Sequence, residues 1–384
     1  MSDPTISFVD DPSELGPALR RVTDELVGVD VERADSHRYF RRAALIQVGD
    51  ADHCVLVDPL AVTDLRDLDA FLRERQVVLH AIENDIEPLA AAGVEPTDVA
   101  DTGVAAAVLG LPIGLGPLLE EVLGVVLDTD KDTYQRADWE QRPLSAGMRE
   151  YAAGDVFHLP ALWRALGVRL EEAGRRSWYE QELVATLDNA RADTRDWQRT
   201  KGAGRLDPQQ RAVLKALWEE RESISREHDI APNRLLHDRT LLALAEQPAS
   251  SSGEMVRRNQ RRSSPLKAFA DRLLAAQEDG RTGPPVPKEG GGRRWSDAER
   301  DAYDAMRRAR AELADELGID AGVLCPSRPL WTAAVGEPAD AAELCALAEL
   351  RPWQAELLAD VLWDAYASAL ARDGDDGEQG SEEE

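Results

Sequence analysis

The chain has 384 residues, of which 43% are hydrophobic and 31% charged; this is too long for one small core and fits two or three domains. No apolar run reaches the ~20 residues that a membrane span needs, and the three cysteines are far apart without metal-ligand spacing, so we expect a cytoplasmic protein with no membrane partner and no disulfide framework. The net charge of −28 is unfavourable for a nucleic-acid partner, but it is uneven: residues 373–384 carry seven acids and no base, whereas residues 205–279 carry 13 basic and 12 acidic residues.

Residues 1–193 combine strand and helix patterns. Their short β-type runs lie at residues 26–31, 44–48, 54–57 and 77–80. Helical patterns follow at residues 65–73, 86–92, 115–123 and 146 to about 173. Strands first and helices later predict an α/β domain, with a mixed sheet and flanking helices.

Beyond residue 206 the pattern is helical. We predict two all-α domains, at residues 207–279 and 295–372, joined by a Gly/Pro-rich linker at 280–294 and followed by a disordered acidic tail at 373–384. The two helical segments share residues at an offset of 89: Ile230 and Ile319, Leu235 and Leu324, Arg239 and Arg328, Leu241 and Leu330, and Ala245 and Ala334. This pattern predicts a duplicated helical domain.

The first pair of candidate site residues ends a strand. An apolar run leads into Asp30-Val31-Glu32, and residues i and i+2 of a strand project from the same face. Two acids at the end of a buried strand are costly unless a cation neutralises them, which favours a divalent metal site. An exposed strand end with two solvated acids is the alternative.

Two later acids are expected at helices. Asp85 follows the strand at 77–80 and falls in the first turn of a helix, where it is either a site residue or an ordinary N-cap. Tyr151 and Asp155 are i,i+4 neighbours on one helix face. A phenol beside a carboxylate suits a water held between a metal and a hydrogen-bonding oxygen. The alternative is a core tyrosine above a solvated aspartate.

The order and spacing of these motifs resemble the DEDD superfamily of 3′→5′ exonucleases, in its tyrosine branch, which implies a ribonuclease H-like fold. Through about residues 20–175 the flanking sequence is similar to bacterial ribonuclease D, at Arg38-Tyr39-Phe40, Leu45-Ile46-Gln47-Val48, Asp138-Trp139, Arg142-Pro143-Leu144-Ser145 and Tyr151-Ala152-Ala153. Both helical segments resemble HRDC domains. The chain departs from the family at Val31, where threonine is frequent, and at Arg33, where an aromatic residue is usual. The departure at Arg33 leaves the grip on the terminal nucleotide open.

This resemblance implies a function. Its catalytic residues are expected at Asp30, Glu32, Asp85, Tyr151 and Asp155, with the four acids holding two divalent cations, Mg²⁺ or Mn²⁺, and the tyrosine orienting a water toward the last phosphodiester. The expected activity is trimming of RNA 3′ ends, above all of tRNA precursors, by a monomer that releases nucleoside 5′-monophosphates. Two alternatives stay open: a 3′→5′ DNA exonuclease and a non-catalytic nucleic-acid-binding scaffold.

Two basic runs are candidates for nucleic-acid contacts. The first combines aromatic rings for base stacking with arginines for phosphates, at Arg38, Tyr39, Phe40, Arg41 and Arg42; core packing of the two rings is an equal alternative. The second lies in the first helical domain and comprises Arg257, Arg258, Arg261, Arg262 and Lys267, with a solvated surface run as the alternative. The second helical domain has seven basic and 15 acidic residues, which makes it a poor nucleic-acid binder by charge.

Overall fold

One six-stranded mixed sheet, with the strand order β1-β4-β3-β2-β5-β6, organises the first half of the chain. The computed structural model describes residues 4–33, 37–127, 131–135, 137–191, 195–259, 264–288 and 295–379. The strands are β1 (Thr5–Val9), β2 (Leu26–Arg33), β3 (Ala43–Gly49), β4 (His53–Val57), β5 (Gln76–Leu79) and β6 (Asp98–Asp101). β2, β3 and β4 pair antiparallel, whereas β1, β5 and β6 join their neighbours in parallel. All residues of β3 are buried, so this strand lies at the centre of the domain.

Helices cover both faces of the sheet. They are α1 (Pro12–Leu19), α2 (Arg66–Arg73), α3 (Ile86–Ala91), α4 (Thr102–Leu109), α5 (Leu115–Leu123), α6 (Lys131–Tyr134), α7 (Ala146–Phe157), α8 (Leu159–Glu172) and α9 (Arg176–Arg191). A first apolar core lies between the sheet and α4, α5, α7 and α8, and a second between the sheet and α1, α2 and α3. Val27, Val29 and Val31 of β2 all enter the second core, because alternate strand residues share a face. The predicted mixed sheet with flanking helices is confirmed.

The sequence prediction missed both edge strands and joined two helices into one. β1 is largely half-buried and β6 has four residues, so neither shows the long apolar alternation that indicates a strand. The helix predicted from residue 146 to about 173 is interrupted at His158, which ends α7 and precedes α8. Pro160 explains the break, because a residue without a backbone N–H is tolerated in a first helical turn but not in a helix interior.

The second half of the chain forms two helical bundles with matching helix lengths. The first bundle comprises α10 (Pro208–His228), α11 (Pro232–Leu235), α12 (Asp238–Glu246), α13 (Ser252–Arg258) and α14 (Leu266–Thr282). The second comprises α15 (Asp297–Leu317), α16 (Ala321–Leu324), α17 (Ser327–Val335), α18 (Ala341–Leu347) and α19 (Pro352–Gln379). In both, the first four helices have 21, 4, 9 and 7 residues. Their starting residues are 89 positions apart, the offset found in the sequence.

Two predicted boundaries differ from the ends of helices. α14 ends at Thr282, inside the predicted linker, and the backbone N–H of Val286 donates to Pro208 at 2.8 Å, so this part of the linker packs on the first bundle. Residues 289–294 of the predicted linker lie outside the described residues. α19 continues to Gln379, past the start of the tail predicted at residue 373, and residues 380–384 lie outside the described part.

The second bundle packs against α9 of the first domain. The rings of Trp178 and Trp353 stack with their centroids 4.6 Å apart, and the Trp353 indole donates to Glu182 at 2.7 Å. Just before α9, the Arg175 guanidinium donates to the backbone oxygen of Leu317 at 2.6 Å. α9 therefore packs against the second helical bundle as well as against the rest of the first domain. Among the helices that the structure describes, none combines the length and the apolarity needed to cross a bilayer.

Candidate metal centre and active site

Three carboxylates converge where β2 meets α7. Asp30 and Glu32 project from the face of β2 opposite to Val29 and Val31, and Asp155 comes from α7. One oxygen of each of the three side chains lies within 4.8 Å of the other two, which is a spacing that one divalent ion can span. All three residues are half-buried, so the cluster stays open to solvent on one side.

The close approach of α7 to β2 depends on a glycine. A Cβ atom at Gly28 would lie 2.4 Å from the backbone oxygen of Val156, which no side chain tolerates. Gly28 precedes Asp30 by two residues on the same strand face, and Val156 follows Asp155 directly. The strand and the helix therefore come close at the point where their carboxylates meet.

Asp85 supplies a fourth acid to the same cavity. It precedes α3 but makes no capping hydrogen bond through its side chain, so it does not act as an ordinary N-cap. Its side chain is 3% exposed, and among the described residues its Oδ2 atom has no hydrogen-bond partner. A buried, unpartnered carboxylate oxygen is unfavourable unless a cation or a water occupies the space beside it.

Tyr151 lies one turn before Asp155 on α7. Its ring is buried and packs against Tyr134 and Trp139, with centroid distances of 5.7 and 6.2 Å. Burial, followed by the charges of Asp155 and Glu32, raises the pKa of the Tyr151 phenol. The hydroxyl therefore keeps its proton at neutral pH and can act as a hydrogen-bond partner.

Burial raises the pKa values of three of the acids, and neighbouring carboxylates add to the shift at Glu32 and Asp85. Burial raises the pKa of the Asp30 carboxyl to about 6. Burial, together with the charges of Asp30, Asp155 and Asp85, raises the pKa of Glu32 to about 10. Burial and the charge of Asp30 also raise the pKa of Asp85. Without a cation these surroundings favour the protonated forms, whereas a divalent cation would favour the ionised forms. The oxygen donors and the unpartnered Asp85 oxygen fit a hard cation such as Mg²⁺ or Mn²⁺.

A cavity of about 500 Å³ contains all five predicted catalytic residues, Asp30, Glu32, Asp85, Tyr151 and Asp155. Arg33, His80 and the segment 137–140 also line it. Arg142 holds this wall segment, because its guanidinium donates to Asp58 at 2.7 Å and to the backbone oxygen of Trp139 at 2.7 Å. A larger cleft of about 1260 Å³ lies between α3 and α9 but does not include the four carboxylates.

The first basic run belongs to a domain interface. The Tyr39 ring is 7% exposed and lies under the guanidinium of Arg195, 4.3 Å from the ring centroid. Arg226 of α10 also donates to the Tyr39 hydroxyl at 3.2 Å, so the burial of this ring favours the packing alternative, while the base-stacking role of Tyr39 stays a prediction. Arg38 and Arg42 both donate to Glu140, at 3.1 and 2.8 Å. Arg41 pairs with Glu87 at 3.5 Å, while Phe40 is 54% exposed.

The second basic run divides between exposed and paired side chains. Arg257 and Lys267 are exposed on the first helical bundle. Arg258 is half-buried and ion-paired with Glu254, and it also donates to the backbone oxygen of Gln247. Arg261 and Arg262 lie outside the described residues. Among the described members of this run, Arg257 and Lys267 are therefore the ones whose side chains are exposed to solvent.

Sequence reasoning missed one buried polar residue beside the cluster. Gln47 lies on β3 directly opposite Asp30 and is fully buried. Its signal is visible in the sequence, since it interrupts the otherwise apolar run Ala44-Leu45-Ile46-Gln47-Val48. A polar residue within a central strand indicates either a specific partner or a functional neighbour.

Comparisons with known proteins agree with this geometry. A family model described as 3′-5′ exonuclease matches residues 6–171, and one described as HRDC domain matches residues 210–276. Ribonuclease D of Jannaschia sp. is 31% identical over 337 residues, which cover 83% of this chain and 85% of that protein. Ribonuclease D of Pseudomonas paraeruginosa is 36% identical over 251 residues, covering 63% of this chain and 66% of that protein. The latter match thus spans just under two thirds of the relative's length.

A solved structure resembles nearly the whole chain. The crystal structure of Escherichia coli RNase D, described as an exoribonuclease involved in structured RNA processing, has a TM-score of 0.74 and 27% identity, covering 96% of this chain and 99% of that one. A protein from Bifidobacterium adolescentis shares the fold, with a TM-score of 0.74 and 22% identity.

The fold and the carboxylate cavity define a 3′-5′ exonuclease domain followed by an HRDC domain. The exonuclease class is one in which catalysis depends on divalent metal ions, and the acidic cluster is the candidate for that centre here. The chain belongs to the ribonuclease D family, which confirms the resemblance found in its sequence.

Proposed function

We propose that this protein is a metal-dependent 3′→5′ exoribonuclease that removes nucleotides from the 3′ ends of structured RNA, tRNA precursors above all. The observation that carries this proposal is the cluster of Asp30, Glu32 and Asp155, with ligand atoms within 4.8 Å of one another. Membership in the ribonuclease D family supports RNA as the substrate. The exposed Arg257 and Lys267 side chains offer contacts for the RNA backbone.

The four acids are assigned to two divalent cations, Mg²⁺ or Mn²⁺. Asp30, Glu32 and Asp155 would hold one ion, and Asp85, whose buried Oδ2 atom has no partner among the described residues, would contribute to the second. When bound, such ions lower the pKa of water and neutralise charge on the phosphodiester. Tyr151 orients a water through its hydroxyl and does not serve as a base, because its pKa is raised. Hydrolysis of the last phosphodiester releases a nucleoside 5′-monophosphate.

The second bundle is assigned as a further HRDC-type domain, since its helices repeat those of the first. We also infer that the protein is a monomer and that it acts in the reducing cytoplasm. The free thiols of Cys54 and Cys325 support the second of these inferences.

A direct assay tests the activity. An RNA labelled at its 5′ end and a DNA of the same sequence are incubated with the protein, with Mg²⁺ or EDTA, beside the variant Asp30→Asn. We expect stepwise shortening of the RNA in Mg²⁺, nucleoside monophosphates as products, and loss of activity in EDTA and in the variant. Faster shortening of the DNA would assign the protein as a DNA exonuclease. Equal activity of Asp30→Asn would indicate a contaminant and favour a non-catalytic scaffold.

A further inference from the structure

Gln47 is the cross-strand neighbour of Asp30. The antiparallel register of β2 and β3 pairs the two residues directly, so their side chains project from the same face of the sheet. Directly opposed residues of antiparallel strands have Cβ atoms about 4.5–5.5 Å apart, within reach of a glutamine amide. Along β3, Gln47 is flanked on this face by Leu45 and Gly49.

The Gln47 amide is buried beneath the helix that carries the other site residues. Its side chain is 0% exposed. A Cβ atom at Gly49 would lie 3.1 Å from Val156 on α7, which shows that α7 covers this part of β3. The Gln47 side chain therefore lies between the sheet and α7, on the same sheet face as the side chain of Asp30.

Within the described part of the chain, neither Oε1 nor Nε2 of Gln47 has a hydrogen-bond partner. Two other buried glutamines differ in this respect. Gln277 accepts from the backbone N–H of Ala249 at 2.9 Å and donates to its carbonyl at 2.8 Å. Gln354 accepts from the backbone N–H of Arg351 at 2.9 Å and donates to Val323 at 2.8 Å. A buried amide without partners lowers stability, so Gln47 is expected to have a use outside the metal-free fold.

We propose that Gln47 is a positioning residue for Asp30: in the metal-loaded protein its amide N–H donates to the Asp30 carboxylate and fixes the orientation in which that carboxylate binds the ions. This inference rests on the metal centre of the proposed function. Carboxylates that bind metal ions are commonly held by hydrogen bonds from a surrounding layer of side chains. A neutral amide suits this position, because it donates to Asp30 without adding a positive charge that would repel the cations.

The proposal predicts opposite effects on stability and on metal affinity. Leucine at position 47 removes two unpartnered polar atoms from an apolar core, so the metal-free protein should be as stable as the wild type or more stable. The same change removes the donor to Asp30 and should weaken metal binding about tenfold, the lower end of the range for such supporting residues. A purely structural glutamine would behave in the reverse way.

The experiment compares Gln47→Leu with Gln277→Leu in the full chain. Unfolding temperatures are measured in EDTA, and Mn²⁺ affinity is measured by the electron paramagnetic resonance of the free ion. We expect Gln47→Leu to keep or raise the unfolding temperature and to weaken Mn²⁺ binding about tenfold. Gln277→Leu should lower the unfolding temperature and bind Mn²⁺ as the wild type does. Gln47→Met, which is unbranched, replaces the leucine variant if that variant does not fold.

Two results would overturn the proposal. One is a Gln47 variant with wild-type Mn²⁺ affinity and a lowered unfolding temperature, which would make Gln47 structural. The other is a wild-type protein that binds no Mn²⁺, which would remove the metal centre itself. If the wild type binds Mn²⁺ but does not shorten RNA, the proposed function fails while the comparison of Gln47 with Gln277 still decides the role of Gln47.

Discussion

Arg38 of the exonuclease domain donates from Nη1 to Oδ2 of Asp229, the C-cap residue of α10 in the HRDC domain, at 2.8 Å. The other Asp229 oxygen accepts from the backbone N–H groups of Tyr39 and Phe40, at 3.0 and 3.2 Å. Arg38 also donates to Glu140, which lies in the wall of the carboxylate cavity. A continuous set of ion pairs therefore connects the HRDC domain with the wall of the candidate active site.

Removing the Asp229 carboxylate should slow turnover, although this side chain lies outside the carboxylate cavity. We expect Asp229→Ala to lower kcat on a trinucleotide RNA about tenfold, with KM nearly unchanged, because a cavity wall displaced by a fraction of an ångström misaligns the reacting groups. Steady-state kinetics on the trinucleotide provides the measurement, since so short a substrate does not need the HRDC surface for binding.

The matched control is at the other end of the same helix. Asp207 caps the N-terminus of α10, and Asp207→Ala should lower stability by about 1 kcal/mol while leaving kcat unchanged. Equal losses of kcat in the two variants would show that only the stability of the HRDC domain matters.

Replacing a proposed metal ligand should lower activity and raise the stability of the metal-free protein. Asp155→Asn removes one carboxylate from the cluster, so we expect turnover in Mg²⁺ to fall at least about 100-fold. In EDTA the unfolding temperature should rise, because one of three closely spaced carboxyl groups that lack a cation is replaced by a neutral amide. Asp188→Asn, at an exposed position of α9, should change neither quantity. A fully active Asp155→Asn variant would exclude Asp155 from the metal centre.

The raised pKa values of the cluster predict how pH affects the metal-free protein. Asp30 has a pKa of about 6 and Glu32 one of about 10 in the folded state, both above their ordinary values. Between the unfolded-state and the folded-state pKa values of these two groups, the folded protein therefore binds more protons than the unfolded protein. Proton binding by Asp30 and Glu32 thus contributes to the free energy of unfolding, and its contribution falls as pH rises. It is fully present below the unfolded pKa values of about 4 and is lost progressively above them.

Metal binding should reverse this dependence. Mg²⁺ displaces protons from the same carboxyl groups, so its affinity increases with pH. We expect the difference in unfolding temperature between Mg²⁺ and EDTA to widen from about pH 5 to about pH 8, as Asp30 and its neighbours ionise. Thermal unfolding in matched buffers measures it. The difference cancels contributions from carboxylates outside the cluster, and a constant difference would contradict the raised pKa values.

The exposed cations of the HRDC domain should affect long substrates only. We expect Arg257→Ala combined with Lys267→Ala to weaken binding of a structured RNA and to reduce the slope of log affinity against log salt by about one for each phosphate that the variant no longer binds. Turnover of a trinucleotide should not change. Arg281→Ala, which removes an exposed arginine paired with Glu278 on α14, is the control. An unchanged salt slope would leave the basic run as a solvated surface.

The sequence alone was sufficient to group those candidate site residues that are related by local periodicity. Asp30 and Glu32 share a face because strand residues alternate, and Tyr151 and Asp155 share one because helix residues repeat every turn. Asp85 needed the strand before it and the helix after it, both of which have strong apolar patterns. Each of these relationships extends over at most a few residues.

Relationships between distant segments could not be inferred in the same way. Arg38 and Tyr39 resemble a nucleic-acid contact by composition, yet Asp229 and Glu140, their partners, are separated from them in sequence by 190 and 102 positions. The register that places Gln47 opposite Asp30 also depends on strand pairing, which periodicity does not determine.

The close approach of Gly28 to the backbone of Val156 shows that the proposed metal centre has two separate requirements. One is the set of ligand groups, and the other is the distance between the strand and the helix that carry them. The proposed ligand chemistry resides in Asp30 and Asp155, but the distance between the elements that carry them is determined by a residue with no functional group. A mutation of either aspartate removes a charge and leaves the architecture in place. A single methyl group at Gly28 would leave every charge in place and force the two elements apart. Loss of metal binding in a homologous chain can therefore arise at a position where no ligand is altered, and an inventory of acidic residues would not detect it.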